Sequence, residues 1–128
     1  MEYGEQPRVM IGFGACSFGS QISSPGKLID AAKRGDNAAF KKANTQWYSN
    51  ADEIAVFLHK ANPKNWPKAE MKAMMKSHLD LTLKEADAHL KGKYAEDIAA
   101  YDEVHTEILH MADMLSAGII KQFPKEFD

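Results

Sequence analysis

The clearest pattern in the chain is a helical spacing of apolar residues from Lys68 to Ile120, interrupted by the short turn Lys91-Gly92-Lys93. At about 100° per residue, the first segment places apolar and polar side chains together on one face. The members of that face are Met71, Met74, Met75, His78, Thr82, Glu85 and His89. Because the turn is so short, the sequence predicts an antiparallel helical hairpin.

The second segment predicts a helix whose apolar face is spaced by threes and fours, as a helix packed in a bundle requires. The face consists of Tyr94, Ile98, Tyr101, His105, Ile108, Ala112, Leu115 and Ile119. His105 is a polar residue in the middle of this row. We expect the whole face to be buried against the rest of the protein.

Upstream of the hairpin, residues 27–34 predict a short helix that ends at Gly35, and Asp36 is suited to cap a long helix running to about Ala61. One face of the long helix holds Phe40, Ala43, Trp47, Ala51, Ile54, Ala55 and Leu58. No alternating strand pattern and no internal repeat is found. The sequence therefore predicts an all-α, up-down antiparallel helical bundle of one short and three long helices over residues 27–128.

Residues 1–26 are rich in Gly and Ser and lack a helical period, so we expect an irregular N-terminal arm. The glycines around Cys16 lack the lysine of a phosphate-binding loop. The apolar run at residues 9–13 is too short for a signal peptide, which argues against a secreted or lipoprotein form. No base can be assigned to Cys16, so the sequence does not predict a catalytic cysteine.

The charge pattern excludes further classes of function. The formal net charge is −2, and the lysines alternate with acidic residues instead of forming a basic patch, which argues against nucleic-acid binding. No apolar run approaches the ~20 residues of a membrane span. The single Cys16 excludes an internal disulfide and fits a reducing compartment. We therefore expect a soluble, cytoplasmic protein.

The polar residues of the hairpin are the candidate chemistry. Counting back from the turn, antiparallel helices would place His105 level with His78 or Leu79, and Asp102 near Thr82. Two histidines and a carboxylate could hold a transition metal (iron, zinc, manganese or copper), as in hemerythrin-like or ferritin-like bundles. The candidate ligands are His78, Glu85, His89, Asp102, His105 and Asp113. The three methionines with His78 would also form a soft ligand set for Cu(I).

A structural interpretation competes with the metal site. A histidine in a helical core usually forms a hydrogen bond with a nearby tyrosine, threonine or carboxylate, and Tyr101, Thr82 and Glu85 are available. A buried Glu85 would need a partner because an unpaired buried charge is costly. Acid-base catalysis by Glu85 with a histidine would also need a pocket, so a small-molecule enzyme ranks third.

Four stretches of the chain carry a resemblance to a known family. They are Asp30-Ala31-Ala32-Lys33-Arg34-Gly35-Asp36-Asn37, Trp47-Tyr48-Ser49-Asn50-Ala51-Asp52-Glu53-Ile54, His78-Leu79 with Thr82 and Glu85, and Met111-Ala112-Asp113 with Gly118-Ile119-Ile120-Lys121-Gln122-Phe123-Pro124. The chain resembles a family of small, mostly uncharacterised bacterial helical proteins often labelled acetylglutamate kinase. An amino-acid kinase needs a large α/β fold and glycine-rich phosphate loops, so the label does not fit this sequence.

The resemblance also bears on assembly. The family pattern has a further helix ahead of the region that matches Lys27, and this chain has residues 1–26 in that place. A missing bundle helix would leave apolar faces that need covering, which favours a homodimer. We therefore expect a helical-bundle protein that acts by binding or assembly, with itself or with an unidentified protein. The metal-binding bundle is the alternative.

Overall fold

The structure is a computed structural model that describes residues 24–127, and in this part of the chain it contains helices and no strand. Residues 24–34 form α1. The other elements are α2 (Asn37–Ala61), α3 (Lys68–Leu90), α4 (Tyr94–Gln122) and a 3₁₀ turn (Pro124–Glu126). The prediction of an all-α bundle with one short and three long helices is confirmed. No helix among the described residues is long and apolar enough to cross a membrane.

The chain divides into two compact units, Met1–Ile54 and Ala55–Asp128, with the boundary inside α2. Most of the predicted N-terminal arm, residues 1–23 with Cys16, lies outside the described residues. The prediction that the irregular arm extends to residue 26 is wrong at its end, because Ser24, Pro25 and Gly26 are already helical. Proline is tolerated in a helix where its nitrogen, which carries no N–H, is not needed as a donor, and glycine is tolerated at a cost of about 1 kcal/mol.

Local chemistry explains the turn between α1 and α2. Gly35 has φ +67°, a left-handed conformation that glycine adopts without a steric penalty, and its N–H donates to the Ala32 carbonyl. The Asp36 carboxylate accepts a hydrogen bond of 2.9 Å from the Ala39 N–H, as expected of a residue that caps a helix. Both predicted boundary signals are therefore confirmed.

The apolar face predicted for α2 is shielded from solvent. In the middle of this face, the large Trp47 side chain lies between the small residues Ala43 and Ala51. Small residues leave room for a neighbouring backbone segment to approach closely. The buried members are Ala43, Trp47, Ala51, Ile54 and Ala55. Phe40 and Leu58, at the two ends of the row, are half-buried.

A three-residue turn joins α3 to α4 as an antiparallel hairpin, as predicted. Gly92 has φ +70°, and its N–H donates to the His89 carbonyl, while the Lys93 N–H donates to the Ala88 carbonyl. This pair of bonds is the Schellman arrangement that ends a helix at a left-handed glycine. The two helices then pack along each other.

The core of the second unit is formed mainly by α3. Its buried residues are Met71, Met74, Met75, Leu79 and Ala88, so the three methionines fill space in the core. From α4, all of whose residues are described, only Ala100 and Gly118 are buried.

The connection between α2 and α3 is tied to the end of α4. Buried Asn62 donates from its side-chain amide to the Gly118 carbonyl at 2.8 Å, and Gln122 donates to the Ala61 carbonyl at 3.0 Å. The indole of buried Trp66 lies directly against Gly118, where an added Cβ would collide with three ring atoms. The Trp66 carbonyl accepts a hydrogen bond of 2.8 Å from His59 Nδ1, and His59 is half-buried.

Candidate functional site

The face of α4 that meets the rest of the protein is not the predicted one. The shielded positions are Asp97, Ala100, Val104, Glu107, Met111, Met114 and Gly118, each half-buried or buried. Every one of them lies one residue before a member of the predicted face. One residue corresponds to about 100° around a helix, so α4 is rotated by that angle relative to the prediction.

Two parallel rows of residues explain this error. Both rows on α4 repeat every three or four residues, so periodicity alone cannot choose between them. The row that packs inward includes Ala100 and Gly118, whose small size permits close approach. Gly118 accommodates the Trp66 indole directly. Close packing therefore selects the row with the small residues, although the other row is the more apolar.

The row left outside is a continuous apolar surface, which we call the exposed stripe. It consists of Tyr94, Ile98, Tyr101, His105, Ile108, Ala112, Leu115 and Ile119. Tyr94, Ile98 and Tyr101 are 62%, 65% and 56% exposed, and only Leu115 among the eight is half-buried. Surface patches of this kind mark interaction sites in soluble proteins more often than isolated apolar residues do.

The stripe also has local order and apolar neighbours. The rings of Tyr101 and His105 stack one turn apart, with centroids 6.3 Å apart and planes 3° from parallel. Three further exposed apolar side chains lie in the C-terminal half of α4 or directly after it: Leu109, Ile120 and Phe123. His105, predicted as a buried metal ligand, is thus exposed at the centre of an apolar surface.

Polar pairs join α3 to α4 at several levels of the hairpin. His78 Nδ1 lies 2.9 Å from Glu107 Oε2, and both side chains are shielded, at 24% and 14% exposure. Nearer the turn, Lys84 donates to Glu103 at 2.7 Å. At the turn itself, His89 Nδ1 lies 2.7 Å from Asp97 Oδ2.

These pairs set the register of the hairpin. His78 pairs with Glu107, two residues beyond His105, which was predicted to lie level with His78 or Leu79. Sequence reasoning missed Glu107 because it lies on the α4 row that was predicted to face outward. The signal for it is the spacing of Glu103 and Glu107, one turn apart on one side of α4, opposite a lysine and a histidine of α3.

The six predicted metal ligands do not form one cluster in the structure. His78 and His89 pair with carboxylates outside the predicted set, and Asp102, His105 and Asp113 are exposed. Glu85 is half-buried on α3. Among residues 24–127, no group of three or more His, Cys, Asp or Glu side chains is placed to hold a metal ion. Metal binding at these residues, by histidine and carboxylate or by the methionine set, stays a prediction.

We expect His78 and Glu107 to stabilise the hairpin as a pair. In a double-mutant cycle with His78→Ala and Glu107→Ala, the coupling free energy should be about 1 kcal/mol, since a shielded hydrogen bond to a charged group exceeds an exposed ion pair. Urea unfolding at pH 7 measures the four free energies.

His89 and Asp97 provide the matched control, because His89 is 67% exposed and the pair should couple by less than about 0.5 kcal/mol. Equal coupling free energies in the two pairs would contradict the prediction that the shielded pair of His78 and Glu107 stabilises the hairpin more than the exposed pair does. A melting temperature that rises with added iron, zinc, manganese or copper in the parent protein, but not in His78→Ala, would support the metal site instead.

Comparison of the chain with protein-family models, with curated proteins and with solved structures found no match. The resemblance to small bacterial helical proteins therefore stays a prediction. The function proposed below is argued from the residues of this chain alone.

Proposed function

We propose that the protein acts by assembly, as a homodimer whose two copies cover each other's exposed stripe. The observation that supports this proposal is the stripe itself, a row of aromatic and aliphatic side chains along the whole length of α4. Leaving such side chains in water is unfavourable by about 1.5–3 kcal/mol for each large one that could be fully buried. A second copy presents an identical apolar surface, and pairing of the two copies removes both surfaces from water.

The charge distribution is compatible with this role. Glu103 and Glu107 of α4 are paired with α3 residues, and the stripe itself consists of uncharged side chains apart from the titratable His105. An interface centre poor in charge and rich in tyrosine and aliphatic residues is typical of protein–protein contacts.

Replacing Ile98 and Ile108 together with lysine should abolish the dimer. Both side chains are exposed in the single chain, at 65% and 42%, so the substitutions leave the core intact. In the dimer each would bury a charge, and we expect the dissociation constant to rise at least about 100-fold. Size-exclusion chromatography with light scattering measures the mass, and circular dichroism verifies that the helices remain.

The matched control is His110→Lys with Ala117→Lys. These two residues are exposed on α4 but lie outside the stripe, and they add the same charge to the same helix. The control should remain as dimeric as the parent protein. A parent protein that is monomeric at the highest concentration tested, or a control that dissociates as readily as the stripe variant, would disprove the proposal.

A further inference from the structure

The spacing of the exposed stripe is regular enough to define how a partner helix would lie on it. From Tyr94 to Ile119 the steps are four, three, four, three, four, three and four residues, a strict repeat of seven. A repeat of 3.5 residues keeps one face in contact with another helix over its full length, as in a coiled coil. The natural occupant of the stripe is therefore another helix with the same repeat, which α4 of a second copy supplies.

We infer that two copies pair α4 against α4 in antiparallel orientation, with Tyr101 of each copy packed against Ala112 of the other. This inference rests on the proposed function, since it requires the dimer. In this register the other facing pairs are Tyr94 with Ile119, Ile98 with Leu115, and His105 with Ile108. All eight residues of the stripe then have a partner.

Side-chain volume favours this register. The largest stripe residue near the centre, Tyr101, meets the smallest, Ala112, and no pair brings two tyrosines or two small residues together. A parallel pair would place tyrosine against tyrosine at residue 101 and alanine against alanine at residue 112, which is crowded at one level and empty at the other. An antiparallel pair shifted by one heptad would leave the residues at one end of the stripe uncovered.

Charge and helix dipoles favour the same orientation. The N-terminal half of α4 carries Glu96, Asp97, Asp102, Glu103 and Glu107 and no lysine or arginine. The C-terminal half carries one acidic residue, Asp113, and one basic residue, Lys121. Most of these carboxylates pair within the chain with Lys84, Lys93, His78 or His89, which reduces the repulsion between two parallel acidic halves. Antiparallel pairing still separates the acidic halves, and it opposes the helix dipoles.

Spin labels on the same flank of the stripe test the orientation. Ala95 and Ser116 are exposed, lie three heptads apart, and can each be changed to cysteine for labelling in a full-length Cys16→Ser background. In the antiparallel register, two labels at residue 95 are separated along the axis by 23 residues, or about 35 Å. A label at residue 95 of one copy and one at residue 116 of the other lie about 3 Å apart along the axis, so their separation approaches the interhelical spacing of ~10 Å.

In the singly labelled and the mixed samples, pulsed electron paramagnetic resonance measures the long separation, and dipolar broadening of the continuous-wave spectrum measures the short one. A long 95-to-95 distance with a short 95-to-116 distance supports the inference. The reverse pattern in a protein that light scattering shows to be dimeric would overturn the antiparallel register and leave the proposed dimer standing. A monomer would overturn both. In that case a short distance between labels on Cys16 and on Ser116→Cys, in a chain that retains Cys16, would assign the stripe to residues 1–23 of the same chain.

Discussion

Replacing Trp66 with alanine should lower the free energy of unfolding by about 3–5 kcal/mol, the largest effect we expect from any single substitution here. The side chain is 6% exposed, and its ring lies directly on Gly118 of α4. Removing the indole leaves a cavity between the α2–α3 connection and the end of α4. Urea unfolding followed by circular dichroism, at one protein concentration because a dimer's stability depends on it, measures the loss.

Phe127→Ala is the matched control for Trp66→Ala. Phe127 is also a large aromatic residue of the second unit but is 56% exposed, so its removal should change the free energy of unfolding by no more than about 0.5 kcal/mol. If Trp66→Ala cost as little as Phe127→Ala, the packing of the indole on Gly118 would be contradicted.

Gly118→Ala should destabilise the protein, although alanine is the better helix former. A Cβ at residue 118 would overlap Trp66 Nε1 and come within 2.7 Å of Cε2 and 2.8 Å of Cδ1. Because a buried ring cannot turn aside as a flexible chain end can, we expect overpacking to cost about 1–3 kcal/mol or more. This cost should exceed the ~1 kcal/mol that alanine gains over glycine inside a helix.

Two comparisons isolate the cause in the same unfolding experiment. Gly26 is also helical, but an added Cβ there meets nothing within 4 Å, so Gly26→Ala should be neutral or stabilising by up to ~1 kcal/mol. In the Trp66→Ala background, Gly118→Ala should likewise cease to be destabilising, since the ring it collides with is gone. A loss at residue 118 that persists without Trp66 would point to another neighbour.

Local signals in the sequence were sufficient for most of the fold. Gly35 and Gly92 mark turns because each adopts a positive φ, and Asp36 caps α2 with its own carboxylate. On α2 the apolar residues at helical spacing form a single row, in contrast to the two competing rows of α4. The buried face of α2 was therefore predicted correctly. The N-terminal start of α1 was placed too late because Pro25 and Gly26 resemble a break while being tolerated in helix.

The candidate site could be predicted only in part. His78 and His89 were singled out as polar residues of the hairpin, but their observed partners, Glu107 and Asp97, were not among the predicted residues. His59 and Asn62 were not predicted to have a role, because their partners are backbone carbonyls. Asn62 donates to the carbonyl of Gly118, 56 residues away in the chain. No pattern in the sequence predicts a hydrogen bond to so distant a carbonyl.

The sequence by itself determined the helices, their turns and the antiparallel hairpin, since these depend on φ preferences, capping and periodicity within a few residues of each other. Only the tertiary structure decided which row of α4 is buried. Two rows with the same repeat compete there, and the choice depends on how closely Trp66 can approach Gly118, a property of two residues far apart in the chain. The more apolar row was left exposed, and it is on that row that we base the proposed dimer.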